Sequence, residues 1–147
     1  MSSKAFVLKP ADRKPALTVV GAQIAVLASG SDIEDQQITV QWGDEGIGPP
    51  PHSHDWDESF YVTKGQVLFT CAGETSACIT GTLVHVPAGT VHAFRFGPGG
   101  GEMLEITGKR SNAVPMFTAL DREIPPGPPD VARVIQVFAQ NGVKVHI

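Results

Sequence analysis

Pro51-His52-Ser53-His54-Asp55-Trp56-Asp57-Glu58, answered further on by Pro87-Ala88-Gly89-Thr90-Val91-His92, is the part of the sequence on which its reading turns. His52 and His54 stand two apart, so on an extended strand both side chains point to one face. Glu58 is an even number of residues further on and returns to that face if the strand resumes after the Asp55-Trp56-Asp57 bend. His92 opens a later apolar strand directly after a Pro87-Ala88-Gly89-Thr90 turn, and a barrel can bring that strand beside the first. Three imidazoles and one carboxylate are a borderline nitrogen and oxygen set. It suits Mn, Fe, Co, Ni, Cu or Zn and disfavours Ca and Mg.

Outward from these residues the chain reads as strand after strand. Leu17–Ser29 is rich in Val, Ile and Ala, and reads as one long apolar strand. In 37–42, Ile38, Val40 and Trp42 alternate with Gln37, Thr39 and Gln41, the period of a half-buried strand, with the apolar set expected inside. Ser59–Thr63, Gln66–Cys71, Ala77–Thr80, Leu83–Val86, His92–Phe96 and Met103–Thr107 follow, most of them separated by Gly or Pro. Many short strands between turn signals mean a sandwich or barrel, because only closure or a second sheet manages that many edges. Beyond the strands, Asp130–Asn141 fits a helix capped by Asp130 and stopped by Gly142, with an apolar stripe of Val131, Val134, Ile135 and Phe138. Val114–Asp121 is a candidate for one further short helix. The Pro-rich stretch 124–129 is a stiff connection and not a domain linker. The expectation is one domain over 1–147, with a barrel core at about 17–107 and a carboxy-terminal extension with its helix at about 108–147.

The 147 residues carry a formal net charge of -4, with eleven Lys and Arg scattered along the chain. That balance argues against a nucleic-acid partner, which would need a basic stripe. The longest apolar run, 17–28, contains Gln23 and is too short to span a bilayer, and the start, Met1–Pro10, is broken by Lys4 and Lys9. A cytoplasmic protein with no membrane partner is expected. Cys71 and Cys78 read as reduced thiols. A turn centred on Glu74-Thr75 would set them opposite each other, and one centred on Ala72-Gly73 would not. Two cysteines are too few for a structural zinc site.

Two segments resemble the paired motifs of the cupin superfamily. Gly46-Ile47-Gly48-Pro49-Pro50-Pro51-His52-Ser53-His54-Asp55-Trp56-Asp57-Glu58, closing at Gly65, is similar to the first, and Gly81-Thr82-Leu83-Val84-His85-Val86-Pro87-Ala88-Gly89-Thr90-Val91-His92 to the second. Four glycines and a proline at these spacings would arise by chance about once in a million trials, so the resemblance is specific. It covers about 36–107. It implies an all-β double-stranded β-helix, a cupin or jelly-roll barrel, with one divalent transition metal held by His52, His54, Glu58 and His92. Two departures stand out. Phe96 occupies a place where the second motif usually ends in Asn, and Thr82 replaces a common acidic residue.

Alternation then assigns a pocket wall. Phe60 and Val62 follow Glu58 inward, Phe94 and Phe96 follow His92, and Trp42 follows Val40, giving an apolar and aromatic surround that fits a small hydrophobic or aromatic ligand. Trp56 and Asp57 lie in the bend beside the ligands, and Tyr61 should point outward. His85, between Val84 and Val86, reads as a surface or packing residue, and His146 as a tail residue. Resemblance to quercetinase-like cupins implies a metal-dependent dioxygenase, an oxidoreductase in which Glu58 is both ligand and proton acceptor. A redox-neutral isomerase or lyase and a non-catalytic small-molecule or metal-binding module are the alternatives. Phosphate sugars are disfavoured, because Lys64 and Arg95, the cations near the motifs, alternate outward. Small cupins commonly form homodimers, and the long apolar 17–29 strand would offer an edge for pairing.

Overall fold

A computed structural model describes residues 4–147. Met1–Ser3, the first residues of the amino-terminal stretch read above, lie outside the described residues. After a single 3-10 turn at Pro10–Asp12 come β1 (Leu17–Val19), β2 (Ala22–Ala28), β3 (Gln36–Gly43), β4 (His52–His54), β5 (Glu58–Cys71), β6 (Glu74–Ile79), β7 (Leu83–Val86), β8 (His92–Gly108), α1 (Ala113–Glu123), α2 (Val131–Gln140) and β9 (Val143–Val145). Every pairing is antiparallel. β5 and β8 run alongside each other from Glu58↔Thr107 to Cys71↔His92 and form the spine of the curled sheet. The near half of β5 pairs with β7 and the far half with β6. β8 pairs with β3 over Gly101–Gly108 and meets β4 at His52↔His92.

Three strand expectations change. The 17–29 run is a hairpin, because Val20 and Gly21 take φ of 47° and 91° and turn β1 back onto β2. Ser59–Thr63 and Gln66–Cys71 are one strand, as are His92–Phe96 and Met103–Thr107, since the glycines between them bend the ladder without ending it. Gly65 shows why glycine stands there: its φ is +63°, and a Cβ would lie 2.3 Å from the Gly100 carbonyl oxygen. The inward face of β3 is also the opposite of the one expected. Gln37, Thr39 and Gln41 are buried, while of the apolar set Val40 alone is buried and Ile38 and Trp42 are half-exposed. The polar face turns inward because each member finds a partner there. Gln37 Nε2 donates to Ser111 O at 2.7 Å and its Oε1 accepts from Val114 N at 3.1 Å, Thr39 Oγ1 donates to Glu105 at 3.4 Å, and Gln41 Nε2 donates to Thr39 Oγ1 at 3.2 Å.

The β5–β6 turn is Ala72-Gly73, both at positive φ, so Cys71 faces Glu74 and Cys78 faces Val67. The two thiols are free and are not cross-strand partners.

Apolar side chains gather in two cores. One fills the barrel with Phe60, Val62, Val67, Phe69, Phe96 and Met103, and the other lies between the barrel mouth and the two helices, around Trp56, Met116, Phe117, Leu120, Val137 and Phe138. The second helix forms as expected, with Asp130 accepting from Arg133 N and Gly142 at positive φ behind it. Its buried stripe is Val134, Val137 and Phe138, not Val131, which is 59% exposed. The candidate at Val114–Asp121 lies within α1, and α1 is joined to β1 by Thr18 N donating to Asp121 and to α2 by the Arg133–Glu123 ion pair. The two helices therefore sit as a cap over one end of the barrel.

Candidate metal centre

β4 is only three residues long, and its alternation buries His52 and His54 while Ser53 turns the other way, to His146. The bend after it is fixed from both sides. Asp57 accepts from Ala88 N at 2.8 Å, and Gly89 N donates to His54 O at 2.8 Å. These bonds dock the Pro87–Thr90 turn against β4, and His92 emerges opposite His52 with ring centroids 4.2 Å apart. Glu58 begins β5 on the same side. One ligand atom from each of His52, His54, Glu58 and His92 lies within 4.8 Å of all the others, and all four residues are buried.

The hydrogen bonds decide what this cluster can hold. Nδ1 of His52, His54 and His92 lies 2.8, 3.0 and 2.8 Å from the carbonyl oxygens of Pro50, Trp56 and Thr90. A carbonyl only accepts, so each Nδ1 carries a proton and Nε2 is the atom each ring turns toward the cluster. His54 Nε2 and His92 Nε2 approach the same Glu58 Oε1 at 2.9 and 2.6 Å. With each Nδ1 proton tied to a carbonyl, these atoms can share one carboxylate oxygen when Nε2 also carries a proton and donates, or when a metal ion takes that proton's place. Burial, with the neighbouring His92, pushes His52 down to about 4, so this ring is neutral at ordinary pH. Burial pushes Glu58 up, but hydrogen bonds from His54 and His92 outweigh it and hold the carboxyl well below its usual range. Three imidazoles tied through Nδ1 with Nε2 turned inward, beside an anionic carboxylate, are a donor set that a transition metal takes. The cluster fits such an ion.

Residues 37–106 match the cupin domain family. Quercetin 2,3-dioxygenase of Bacillus subtilis is 36% identical over 78 residues, 51% of this chain. The chain spans only 23% of that protein's length. In three dimensions it resembles KdgF from a Halomonas species (TM-score 0.67, 18% identity, 76% of this chain and 99% of that one). A cupin from Shewanella frigidimarina described as RmlC-like gives 0.64 at 17% identity, covering 74% and 95%. The polyketide cyclase RemF from Streptomyces resistomycificus also gives 0.64, at 21% identity, covering 72% and 80%. The chain carries a cupin domain over residues 37–106, and its fold is that of the cupin superfamily. At these identities the structural likenesses speak for the fold alone.

In this cupin the cluster opens onto a cavity of about 90 Å³ beneath the helical cap. Of the residues expected on its wall, Phe60 and Phe94 line it. Val62 and Phe96 do not; both are buried in the barrel core behind it. Trp42 lines a separate surface groove with Arg13 and Gln23, a consequence of the reversed face of β3. Tyr61 is exposed as expected, and His85 is on the surface, bonded to Ser59. Trp56 turns inward from the bend beside the ligands. It is buried, lines the cavity and stacks on His54 at 4.1 Å and 9°. Asp57 stays outside, on the Pro87–Thr90 turn.

Sequence reasoning missed Glu105, Gln41 and the cap. Glu105 is buried on the cavity wall and hydrogen-bonded to Glu58. Burial, then the charge of Glu58, pushes its carboxyl well above the usual range. The available signal was the alternation Met103, Glu105, Thr107, which is the buried set, but it was masked by the more apolar Leu104 and Ile106. The cap contributes Ala113, Met116, Phe117 and Leu120 from α1 and Val134 and Phe138 from α2.

Proposed function

We propose that this cupin is an enzyme that binds one divalent transition metal through His52, His54, Glu58 and His92 and acts on a small apolar or aromatic molecule by dioxygenase-type chemistry. The observation that carries the reading is the convergence of three imidazoles and Glu58 beneath a largely apolar cavity. When bound, a transition metal supplies Lewis acidity and coordination positions open to substrate and dioxygen. The protein's own part is then clear. The carbonyls of Pro50, Trp56 and Thr90 keep the imidazoles aimed, the cap excludes water, and Phe60, Phe94, Phe117 and Phe138 give a flat substrate its contact surface. Glu58 offers its second oxygen as a proton acceptor. The cavity is smaller than the roughly 300 Å³ at which drug-sized ligand pockets begin, so the substrate is small or the cap yields to admit it. The match to a quercetin dioxygenase over half of this chain supports oxygen chemistry.

One observation favours a second reading. Glu105 sets a second carboxyl group against Glu58 on the cavity wall, an arrangement that serves proton transfer within a substrate and hence a redox-neutral isomerase or lyase. The test is to load the protein separately with Fe, Mn, Co, Ni, Cu and Zn, and to measure binding and oxygen uptake with small phenols, enols and diketones. Uptake with a redox-active metal is expected. Binding without uptake under every metal would favour the redox-neutral reading, and absence of binding would leave the non-catalytic module. We further propose a single domain over 1–147, a homodimer, a cytoplasmic location, and no nucleic-acid or membrane partner. The net charge of -4 supports the first exclusion; among the described residues no helix is long and apolar enough to cross a membrane.

A further inference from the structure

One residue of the cavity wall, Trp56, carries a buried polar atom with no hydrogen-bond partner. Among the described residues three buried side-chain atoms lack a hydrogen bond, and of these only Trp56 Nε1 belongs to a residue lining the cavity. Trp56 is 8% exposed. Its ring is held from several directions. One face stacks on His54, its own carbonyl accepts from His54 Nδ1, and its Cζ3 edge lies 3.9 Å from where a Cβ on Gly142 would begin. Nε1 is on the opposite edge of the indole. An indole nitrogen only donates, and a buried donor left unpaired is costly. A tryptophan performing a purely packing role could be replaced by phenylalanine without that cost.

We infer that Trp56 is a specificity-determining residue, whose indole N–H takes the hydrogen bond of an acceptor oxygen on the ligand, so that the cavity selects small aromatic or enol-like molecules carrying a carbonyl or ring oxygen over hydrocarbons of the same shape. This rests on the reading of the cavity as the place of an apolar or aromatic ligand. The rest of the lining fits the division of labour. Met116, Phe117, Leu120 and Phe138 offer only apolar surface, and Gln41 is already bonded to Thr39. Tryptophan at this place gives a donor that neither titrates nor ligates a metal, and its stack ties the donor's position to that of His54.

The test uses Zn-loaded protein and two ligands of nearly equal shape: acetophenone, which carries a carbonyl, and ethylbenzene, which does not. Wild type should prefer acetophenone. Trp56→Phe should keep its zinc and weaken acetophenone roughly three- to tenfold, as expected for one neutral hydrogen bond, while leaving ethylbenzene unchanged. In parallel, the indole region of the ¹H–¹⁵N spectrum holds two signals, Trp42 and Trp56, which Trp42→Phe assigns. Acetophenone should move the Trp56 signal downfield, and ethylbenzene should not. Equal weakening of both ligands, or an unmoved Trp56 signal with acetophenone bound, overturns the inference and leaves the proposed function standing. If Trp56→Phe fails to fold, the wild-type spectrum decides alone. Failure of both ligands to bind wild type would remove the apolar-ligand reading and this inference with it.

Discussion

Each imidazole of the cluster is held by a carbonyl two residues away in sequence, so losing a ring removes a ligand without disturbing its neighbours' supports. His52→Ala and His92→Ala should therefore each lose most of the bound metal, whereas His85→Ala, on the surface, should retain it; metal analysis of the purified variants decides. Acid should act on the metal-stripped protein through His52. An unfolded chain takes up that proton near pH 6.5, but burial delays it in the folded protein to about 4. The folded state thus binds fewer protons in this window, and stability falls as pH drops through it, by about 3 kcal/mol at most. Glu58, held low, pulls the same way below its ordinary range. Glu105, held high, pulls the opposite way over part of the same range, so the measurement is made in Glu105→Gln, where a urea midpoint that stays flat from pH 6.5 to 4 would contradict this. Phe96 is 1% exposed, and its ring stands 2.8 Å from where a Cβ on Gly43 would sit. Phe96→Asn should lose about 3 kcal/mol or more in chemical denaturation, yet keep the metal and any cavity ligand, since Phe96 is off the lining. The buried cluster of His52, His54, Glu58 and His92 was legible in sequence because its chemistry restricts residue type and spacing together. Glu105 was not, because a buried carboxyl group has no local signature until its partners, Thr39 and Glu58, arrive from other strands.

Alternation gives a strand two faces, but hydrophobicity chooses the inner one only where the interior is apolar. β3 and the end of β8 show the limit. Gln37, Thr39, Gln41 and Glu105 face inward, because their hydrogen bonds close there and the site needs a polar wall. Turn positions were equally ambiguous: glycine ended strands at Gly21 and Gly73 but only bent them at Gly65, where the Gly100 backbone passes too close for any side chain. The period of 131–138 predicted the second helix, but its docked face follows contacts with α1 and Trp56 that periodicity does not contain. The cap should be cooperative with the site. Leu120 is fully buried between helix and barrel, and Leu120→Ala should cost about 2–5 kcal/mol. Deleting residues from Pro129 onward removes Val134, Val137 and Phe138, whose ring centroid lies 6.1 Å from that of His52, and should expose the apolar core and reduce solubility. A truncated protein as soluble as the parent would argue against a docked cap.

On the scale of the molecule, the argument for pairing between copies moves. The 17–29 segment offers only three residues of free edge, because β2 is hydrogen-bonded on both sides. Exposed apolar side chains lie elsewhere: Tyr61 and Leu83 face each other across β5 and β7, with Ile79 nearby at the end of β6. A sedimentation mass of two chains is expected, falling to one in Tyr61→Lys/Leu83→Lys; a single-chain mass for the parent would refute the dimer. One pairing inside the chain bears on its birth. β4 is held on one side by His92 and on the other by β9, with His52 opposite Val145 and His54 opposite Val143. Val143 is added to the growing polypeptide fifty-one residues after His92 (143 − 92). At the usual speed of synthesis that is roughly three to ten seconds. For that interval all four ligands exist while the strand bearing two of them lacks its outer neighbour. Loose ligands favour copper and zinc by affinity, so if the cluster takes a metal as proposed, an ion captured before the last strand closes would be chosen by affinity and one captured afterwards by the finished geometry.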